Sequence, residues 1–284
     1  MDKYKDKKEV LNKYDQSFYS IQMDGSIQSA RFIVPFILKL FPDIKSVVDL
    51  GCGVGTWLAE FKRNGISSVL GYDGGNPPAA YLQINEDEYQ KTDFTSEIPV
   101  QKKVDLAMSL EVAEHLDEKY AQQFIRSLCD HSDLILFSAA IPGQGGTHHV
   151  NERWPSYWAN LFNQEGYNIY DIIRPNFWYD KRVEFWYRQN IFLAINCNRK
   201  DLVALLEPHI ADASHPLDIV HPDMYMQSCE KLDAIVNRRS IKTASLIYSL
   251  PRKIIRILGR IARKILPRSM VQKLSNTKRA LTGH

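Results

Sequence analysis

Short apolar runs alternate with amphipathic stretches from about residue 46 to residue 197. The candidate strands are Ser46–Leu50, Ser68–Tyr72, Tyr89–Thr92, Val104–Ser109, Leu134–Ala139, Asn168–Arg174 and Ile191–Asn196, most of them short apolar runs and Tyr89–Thr92 the most polar. That pattern predicts strands buried on both faces. Between them, residues Thr56–Asn64, Asp117–Cys129 and Pro155–Glu165 repeat their apolar positions at helical spacing. The third stretch has Pro155 in its first turn and Gly166 just past its end, the asymmetry that helix boundaries favour. Ahead of the first strand, residues 26–41 read as a largely buried helix despite Pro35, stopped by Pro42-Asp43. Strands and helices alternating at this spacing imply a parallel sheet with helices on both faces.

Composition adds one asymmetry. The net charge is +3, but residues 235–284 hold 13 Lys and Arg and no Asp or Glu, leaving 23 basic against 33 acidic residues elsewhere. An acidic body argues against a nucleic-acid groove on the main domain. Within the tail, Ile254, Ile257, Leu258, Ile261 and Ile265 recur at helical spacing, and Lys253, Arg256, Arg260, Arg263 and Lys264 fall mostly on another face. Residues 251–266 therefore read as a basic amphipathic helix suited to an anionic membrane surface or to an acidic protein surface, its own body included. Cys52, Cys129, Cys197 and Cys229 show no metal-ligand spacing and read as reduced thiols. A charged N-terminus and no bilayer-length apolar run make the expected location cytoplasmic, with peripheral contact on the inner face of the membrane through the tail.

The candidate chemistry begins at Val47-Val-Asp-Leu-Gly-Cys-Gly-Val-Gly-Thr-Trp57. A buried strand ends in Asp49, three glycines follow at alternate positions, and a helix begins. Such a turn lets the backbone approach a ligand closely. Asp73 ends the second strand some 20 residues on, where a carboxylate can accept both hydroxyls of a ribose. Asp93 ends the third, where an adenine amino group can be met. Arg31, before the first strand, suits a ligand carboxylate and equally a surface salt bridge.

Asp49-Leu-Gly-Cys-Gly-Val-Gly55, Tyr72-Asp73, Asp93-Phe94 and Val104-Asp-Leu-Ala-Met-Ser-Leu-Glu-Val-Ala-Glu-His-Leu116 resemble the class I S-adenosylmethionine-dependent methyltransferases. The resemblance covers about residues 25–197. It implies an α/β, Rossmann-like, doubly wound seven-stranded sheet with its last strand antiparallel. With the charge and spacing of the tail, the expected organisation is a helical cap (1–45), the S-adenosylmethionine-binding domain (46–198), a connector (199–234) and a basic C-terminal helical extension (235–284). The resemblance lays S-adenosylmethionine over Gly51–Gly55, its ribose on Asp73 and its adenine near Asp93. Asp49, Cys52, Thr56, Trp57, Gly74, Phe94, Ser109, Leu110 and Glu111 complete the implied cofactor set. The stretch 139–158 is also similar to bacterial methyltransferases of surface-glycan and natural-product pathways.

Transfer from an activated donor asks an enzyme mainly to position the acceptor, and a hydroxyl must also lose its proton. Ala140-Ile-Pro-Gly-Gln-Gly-Gly-Thr-His-His-Val-Asn-Glu-Arg-Trp154 follows the fifth strand with a flexible turn and two histidines. His149 is preferred to His148 as the base, because Glu152 lies three residues on and one helical turn would let it orient the ring. Trp154, Tyr157, Trp158, Trp178, Trp186, Tyr187 and Arg188 suit a flat or sugar-like acceptor, about half of them being expected in the core. Ser109–His115 is also similar to ubiquinone-pathway O-methyltransferases, in which the matching Glu111, Glu114 and His115 can hold a divalent ion. Those three would share a face of a helix. Capping or loop bonding explains them as well, so no metal is favoured. The expected activity is O-methylation of a sugar, glycan precursor or secondary-metabolite hydroxyl. An RNA or protein methyltransferase targeted by the tail, and a noncatalytic nucleoside-binding protein, are the alternatives.

Overall fold

The computed structural model describes residues 16–100, 102–209 and 216–236. The chain divides into two units, Met1–Met224 and Tyr225–His284, a boundary inside the expected connector. The basic stretch 251–266 lies outside the described residues. Among the described residues no helix is long and apolar enough to cross a membrane.

A helix α1 (Gln16–Leu40) leads into β1 (Ser46–Leu50), α2 (Thr56–Arg63), β2 (Ser68–Asp73), β3 (Tyr89–Lys91) and β4 (Leu106–Leu110). Then come α3 (Ala121–His131), β5 (Leu134–Ser138), α4 (Pro155–Gln164) and β6 (Tyr167–Tyr170). Two short helices, α5 (Ile173–Phe177) and α6 (Phe185–Asn190), precede β7 (Phe192–Asn196), and α7 (Lys200–Ala204) and α8 (Pro222–Val236) follow it. The sheet order is β3-β2-β1-β4-β5-β7-β6. The first five strands are parallel, and β7 runs antiparallel to both β5 and β6. The final strand is therefore antiparallel, as expected, but interior, with β6 at the edge.

Alternation along each strand separates two apolar layers. Val47, Leu106, Met108, Leu136 and Leu193 face one side with Ile33, Ile37, Leu58 and Phe61. Val48, Ala107, Ile135, Phe137 and Phe192 face the other with Phe124, Leu128, Trp158 and Phe162. Burying an aliphatic side chain of this kind stabilises the fold by about 1.5–3 kcal/mol. Pro35 is tolerated because it stands on the solvent stripe of α1 with Gln28, Arg31 and Lys39. The carbonyl of Arg31, which loses its helical donor there, belongs to an exposed residue.

Most strands end within two residues of the sequence expectation. The run 168–174 does not. It pairs as a strand only to Tyr170, and Ile173–Phe177 turns into a helix. Pro175 lies in the first turn of that helix, where its missing N–H costs nothing and its fixed φ favours the helical bend.

Strand order reverses between β1 and β4. At such a switch point the connections diverge to opposite faces and leave a crevice at the carboxyl ends of the strands.

Candidate active site

The turn after β1 is built for close approach. Gly51 has φ 99°, and a Cβ there would stand 2.2 Å from Val112 Cγ2, so no other residue fits. Gly53 has φ 55°, and a Cβ there would meet nothing within 4 Å among the described residues. Space over Gly53 is open, whereas Gly51 is closed from below. Across the turn, Asp73 accepts the Gly53 N–H at 2.8 Å through Oδ2 and the Gly75 N–H at 2.6 Å through Oδ1. Burial pushes the Asp73 carboxyl up and these two bonds pull it back, leaving it above the usual range. Asp49 is 2% exposed, and its Oδ1 has no hydrogen-bond partner among the described residues. Burial, then the charge of Asp73, holds the Asp49 carboxyl well above the usual range. Open space over a glycine turn, an unpaired buried carboxylate oxygen and a second carboxylate fit a cationic nucleoside.

The other expected cofactor residues divide into two kinds. Gly74 lies beside the Asp73 turn, and Asp93 is exposed at the end of β3, accepting from Thr95 N–H and Oγ1 at 2.9 and 2.7 Å. Cys52, Thr56, Trp57, Phe94 and Leu110 are buried. Cys52 packs under the turn against Gly71, Trp57 meets the Tyr187 ring edge-on at 5.1 Å, and Phe94 meets Phe124 at 5.4 Å. Ser109 donates to Leu50 O at 2.7 Å, so its hydroxyl ties β4 to β1. Arg31 lies on the solvent stripe of α1.

Glu111 departs most from the expectation. It follows β4 with φ 56°, in the left-handed region, and only Ala113–His115 form a single tight turn after it. Glu111, Glu114 and His115 therefore share no helical face. The Glu111 carboxylate instead accepts Asn190 Nδ2 at 3.0 Å and Gln144 Nε2 at 2.8 Å, and Asn190 Nδ2 also reaches Gln144 Oε1 at 2.9 Å. Gln189 continues the chain to Asn190 Oδ1 at 3.0 Å and accepts the His221 N–H at 2.6 Å. Gln144, Gln189 and Asn190 were missed in the sequence. A Gln-Asn pair ahead of an apolar strand is the one trace of them, and no spacing rule joins it to Glu111.

A second cluster forms where the 141–154 loop crosses the turn at Glu114. Val150 and Asn151 donate their N–H groups to Glu114 O at 2.9 and 3.0 Å, which sets His149 beside Glu114 and His115. Glu152 accepts the N–H groups of Gly143 and Gly145 at 2.8 and 2.7 Å and holds His149 Nδ1 at 2.9 Å. The expected His149–Glu152 pair forms, through a turn rather than a helix, since α4 starts only at Pro155. Burial would raise the Glu152 carboxyl, but the bonds from His149, Gly143 and Gly145 hold it below the usual range. Nε2 of His149 lies 3.9 Å from Glu114 Oε1 and packs against Gly146, where a Cβ would stand 2.2 Å from it. Glu114 is fully buried, and neither carboxylate oxygen has a hydrogen-bond partner among the described residues. The His115 and His149 rings meet edge-to-face at 4.8 Å. His148 is exposed and in the left-handed region at φ 61°.

The aromatic expectation holds for part of the set. Trp158 and Tyr187 are core, 1% and 5% exposed. Trp178 packs on His221, and Arg188 is buried between Trp178 O at 2.9 Å and Asp223 at 2.7 Å. Trp154, Tyr157 and Trp186 keep accessible surface.

Residues 26–174 match a family described as methyltransferase domain. Among solved structures, the chain is similar to magnesium protoporphyrin IX methyltransferase from Synechocystis PCC 6803, at 16% identity over 67% of this chain and 99% of that one, with a TM-score of 0.49. It is similar to an amino pentose methyltransferase of calicheamicin biosynthesis from Micromonospora echinaspora, at 14% identity over 64% and 98%, with a TM-score of 0.48. A sugar N-methyltransferase from Streptoalloteichus sp ATCC 53650 aligns at 11% identity over 59% and 86%, with a TM-score of 0.47. No curated protein matches the chain by sequence.

Proposed function

We propose, from the premise that this chain belongs to the methyltransferase-domain family, that it moves the methyl group of S-adenosylmethionine to a hydroxyl of a small molecule, a sugar or glycan precursor. The donor supplies an electrophilic methyl carbon on a sulfonium. Asp73 would hold the ribose and Asp49 the cationic end of the donor, over the open face of Gly53. Asp93 would stand by the adenine. His149 is the residue that activates the acceptor hydroxyl, and Glu152 fixes which ring nitrogen faces it. The Glu111–Gln144–Asn190 network positions the loop that carries His149. Trp154, Tyr157 and Trp186 offer flat surface to the acceptor.

The observation that carries the hydroxyl reading is the His149–Glu152 pair, in which the Glu152 carboxylate holds Nδ1 at 2.9 Å. A neutral amine has no proton to lose before attack, whereas a hydroxyl gains from an adjacent proton-handling group. The test is transfer of tritium from labelled donor into an extract fractionated into glycan, RNA and protein. Label should appear in the small-molecule or glycan fraction. His149→Ala should lower turnover on the order of 10²–10⁴-fold while donor affinity stays. Label in RNA or protein alone, or full turnover in the variant, would refute the reading.

A further inference from the structure

The segment 217–224, which sequence alone reads as connector, is tied to α4, α5 and α6 by polar contacts rather than by burial. Asp218 and Val220 are exposed, and Leu217 and Ile219 are only half-buried. Yet Arg174 Nη1 donates to Leu217 O at 2.7 Å, and Ser156 donates to Asp218 through its N–H at 2.9 Å and its Oγ at 2.6 Å. Arg188 Nη2 donates to Asp223 Oδ2 at 2.7 Å. A segment that only covered a core would hold on through apolar side chains. We infer that residues 217–224 are a strap that holds the acceptor side of the site in place, with His221 and Gln189 as the positioning residues that join it to the loop carrying His149. The inference rests on the role given to His149 above for its effect on turnover, but not for its effect on the loop.

His221 is the centre of the strap. It stands just ahead of Pro222, the first residue of α8, and is 3% exposed. Burial holds its pKa below the usual range, so the ring is neutral. Its Nδ1 accepts the Asp223 N–H at 3.1 Å, as an N-cap side chain does, so the ring proton sits on Nε2 and is donated to Trp178 O at 2.8 Å. Arg188 Nη1 donates to the same carbonyl at 2.9 Å, and the Trp178 ring lies 4.5 Å from the His221 ring. These contacts fix the direction of the His221 N–H, which donates to Gln189 Oε1 at 2.6 Å. Gln189 is fully buried, so each polar atom of its amide needs a partner. Its Nε2 donates to Asn190 Oδ1 at 3.0 Å. That bond orients the Asn190 amide so that Nδ2 meets Glu111 Oε1 at 3.0 Å and Gln144 Oε1 at 2.9 Å. Gln144 belongs to the loop that carries His149.

The strap has a second branch. Ser156 lies in the first turn of α4, between Trp154 and Tyr157, the flat surfaces offered to the acceptor. Asp218 holds that turn by two bonds, and a carboxylate there also meets the positive end of the helix dipole. One segment thus fixes both the start of α4 and, through Gln189, the loop 141–154. Transfer is steep in geometry, and a misplacement of about 1 Å can cost on the order of 10²-fold in rate. Residues 217–224, Gln189 and Asn190 all lie beyond the stretch 26–174 matched by the family, so the strap is a feature outside that match.

Hydrogen exchange on the full chain, followed by mass spectrometry, tests the link without an acceptor. Gln189→Met keeps the length of the side chain and removes its bonds to His221 and Asn190. It should speed exchange in 141–154 and 217–224 by about tenfold or more and leave Gly51–Gly55 unchanged. Asp218→Ala, at an exposed position on which the core does not depend, should speed exchange in 217–224 and 141–154 to a smaller degree. Wild-type exchange in 141–154 in both variants overturns the inference. Where Gln189→Met speeds exchange everywhere, it has not folded, and Asp218→Ala decides alone. Turnover is then measured in a cycle with His149→Ala. Gln189→Met should lower it roughly 10–100-fold in the wild-type chain, with donor affinity unchanged, and hardly further once His149 is absent. An equal loss in both backgrounds is general damage and overturns the positioning role. If His149→Ala keeps full turnover while 141–154 still exchanges faster in Gln189→Met, the function proposed above loses its base and the strap's hold on the loop stands. If His149→Ala loses turnover and Gln189→Met does not, this inference falls and that function stands.

Discussion

Asp73 offers the sharpest test of the donor site, because both of its oxygens are already accounted for. Oδ2 accepts from Gly53 and Oδ1 from Gly75, at 2.8 and 2.6 Å. Each oxygen keeps a further lone pair, so the carboxylate can also take two ribose hydroxyls. Hydrogen bonds to a charged group contribute about 1.5–3 kcal/mol each, and here they replace bonds to water. Asp73→Ala should then weaken S-adenosylmethionine by about 1.5–3 kcal/mol, roughly 10–150-fold.

Asp73→Asn discriminates further. An amide has one acceptor oxygen and one NH₂ group, yet two backbone N–H groups point at this side chain. Either amide orientation sets a donor against a donor, so Asn should bind the nucleoside almost as poorly as Ala despite its matching shape. Tyr167→Phe is the control. Tyr167 Oη lies 2.9 Å from both Cys129 O and Ser132 O, in the core at the opposite edge of the sheet. Its loss should cost about 1–3 kcal/mol of stability with no effect on affinity. Calorimetric titration with S-adenosylmethionine and S-adenosylhomocysteine reads all three. Wild-type affinity in Asp73→Asn would refute the argument that a doubly accepting carboxylate is required, and wild-type affinity in Asp73→Ala would remove Asp73 from the site.

Gly53→Val should abolish donor binding, since the side chain would enter the open space over the turn at a φ that valine rarely adopts; unchanged affinity in the same titration would count against that placement. His148→Ala should leave turnover within about twofold of wild type, the imidazole being exposed and outside the cluster; a loss comparable to His149→Ala would reverse the assignment of the pair. Asp105 accepts from Lys45 N–H, Ser46 N–H and Ser46 Oγ, and these bonds outweigh burial to hold its carboxyl below the usual range. Its folded pKa is thus below the unfolded value of about 3.9, so its contribution is full above that pH and lost as pH falls further; the stability difference from Asp105→Asn, about 0.5–1 kcal/mol for so exposed a site, should be constant at neutral pH and shrink below about pH 4. The full chain should sediment with anionic vesicles, less as salt rises, and Ile257→Asp with Ile261→Asp should release it even at low salt; sedimentation unaffected by either change would exclude membrane contact through 251–266.

Sequence reading succeeded where local chemistry decides structure. The strand Ser46–Leu50 was legible to the residue, because a buried run stops where Gly51 must turn. The contact between His149 and Glu152 was legible from a spacing of three, although a loop rather than a helix makes it. What sequence concealed depends on long-range partners. Glu111 adopts a left-handed backbone between two hydrogen-bonded segments, Ser138 on one side and Asn190 with Gln144 on the other. That conformation breaks the helical period on which its pairing with Glu114 and His115 was reasoned. His149 joined Glu114 and His115 only because residues 150 and 151 pair with a turn more than thirty positions earlier. Trp158 and Tyr187 belong to the share of the aromatic set expected in the core, but which members would be buried was not legible, since an aromatic residue carries no sequence mark for which side of a sheet it will face.

The carboxyl edge of the sheet gathers four acids, Asp49, Asp73, Glu111 and Glu114, and burial raises the pKa of each. In the free protein that clustering opposes folding, because buried like charges repel and lose their water. Two of the four are satisfied by hydrogen bonds, Asp73 from backbone and Glu111 from Asn190 and Gln144. The other two, Asp49 and Glu114, retain buried oxygens without a partner among the described residues. Asp49 stands at the end of β1 beside the glycine turn, and Glu114 stands beside His149. An edge that serves only to close a core would fill such positions with apolar side chains, as Val47, Val48 and Leu50 do in β1. If the proposed donor meets Asp49 with its cationic end, its binding should stabilise the folded chain, and a thermal shift on adding S-adenosylmethionine that is lost in Asp49→Asn would show it.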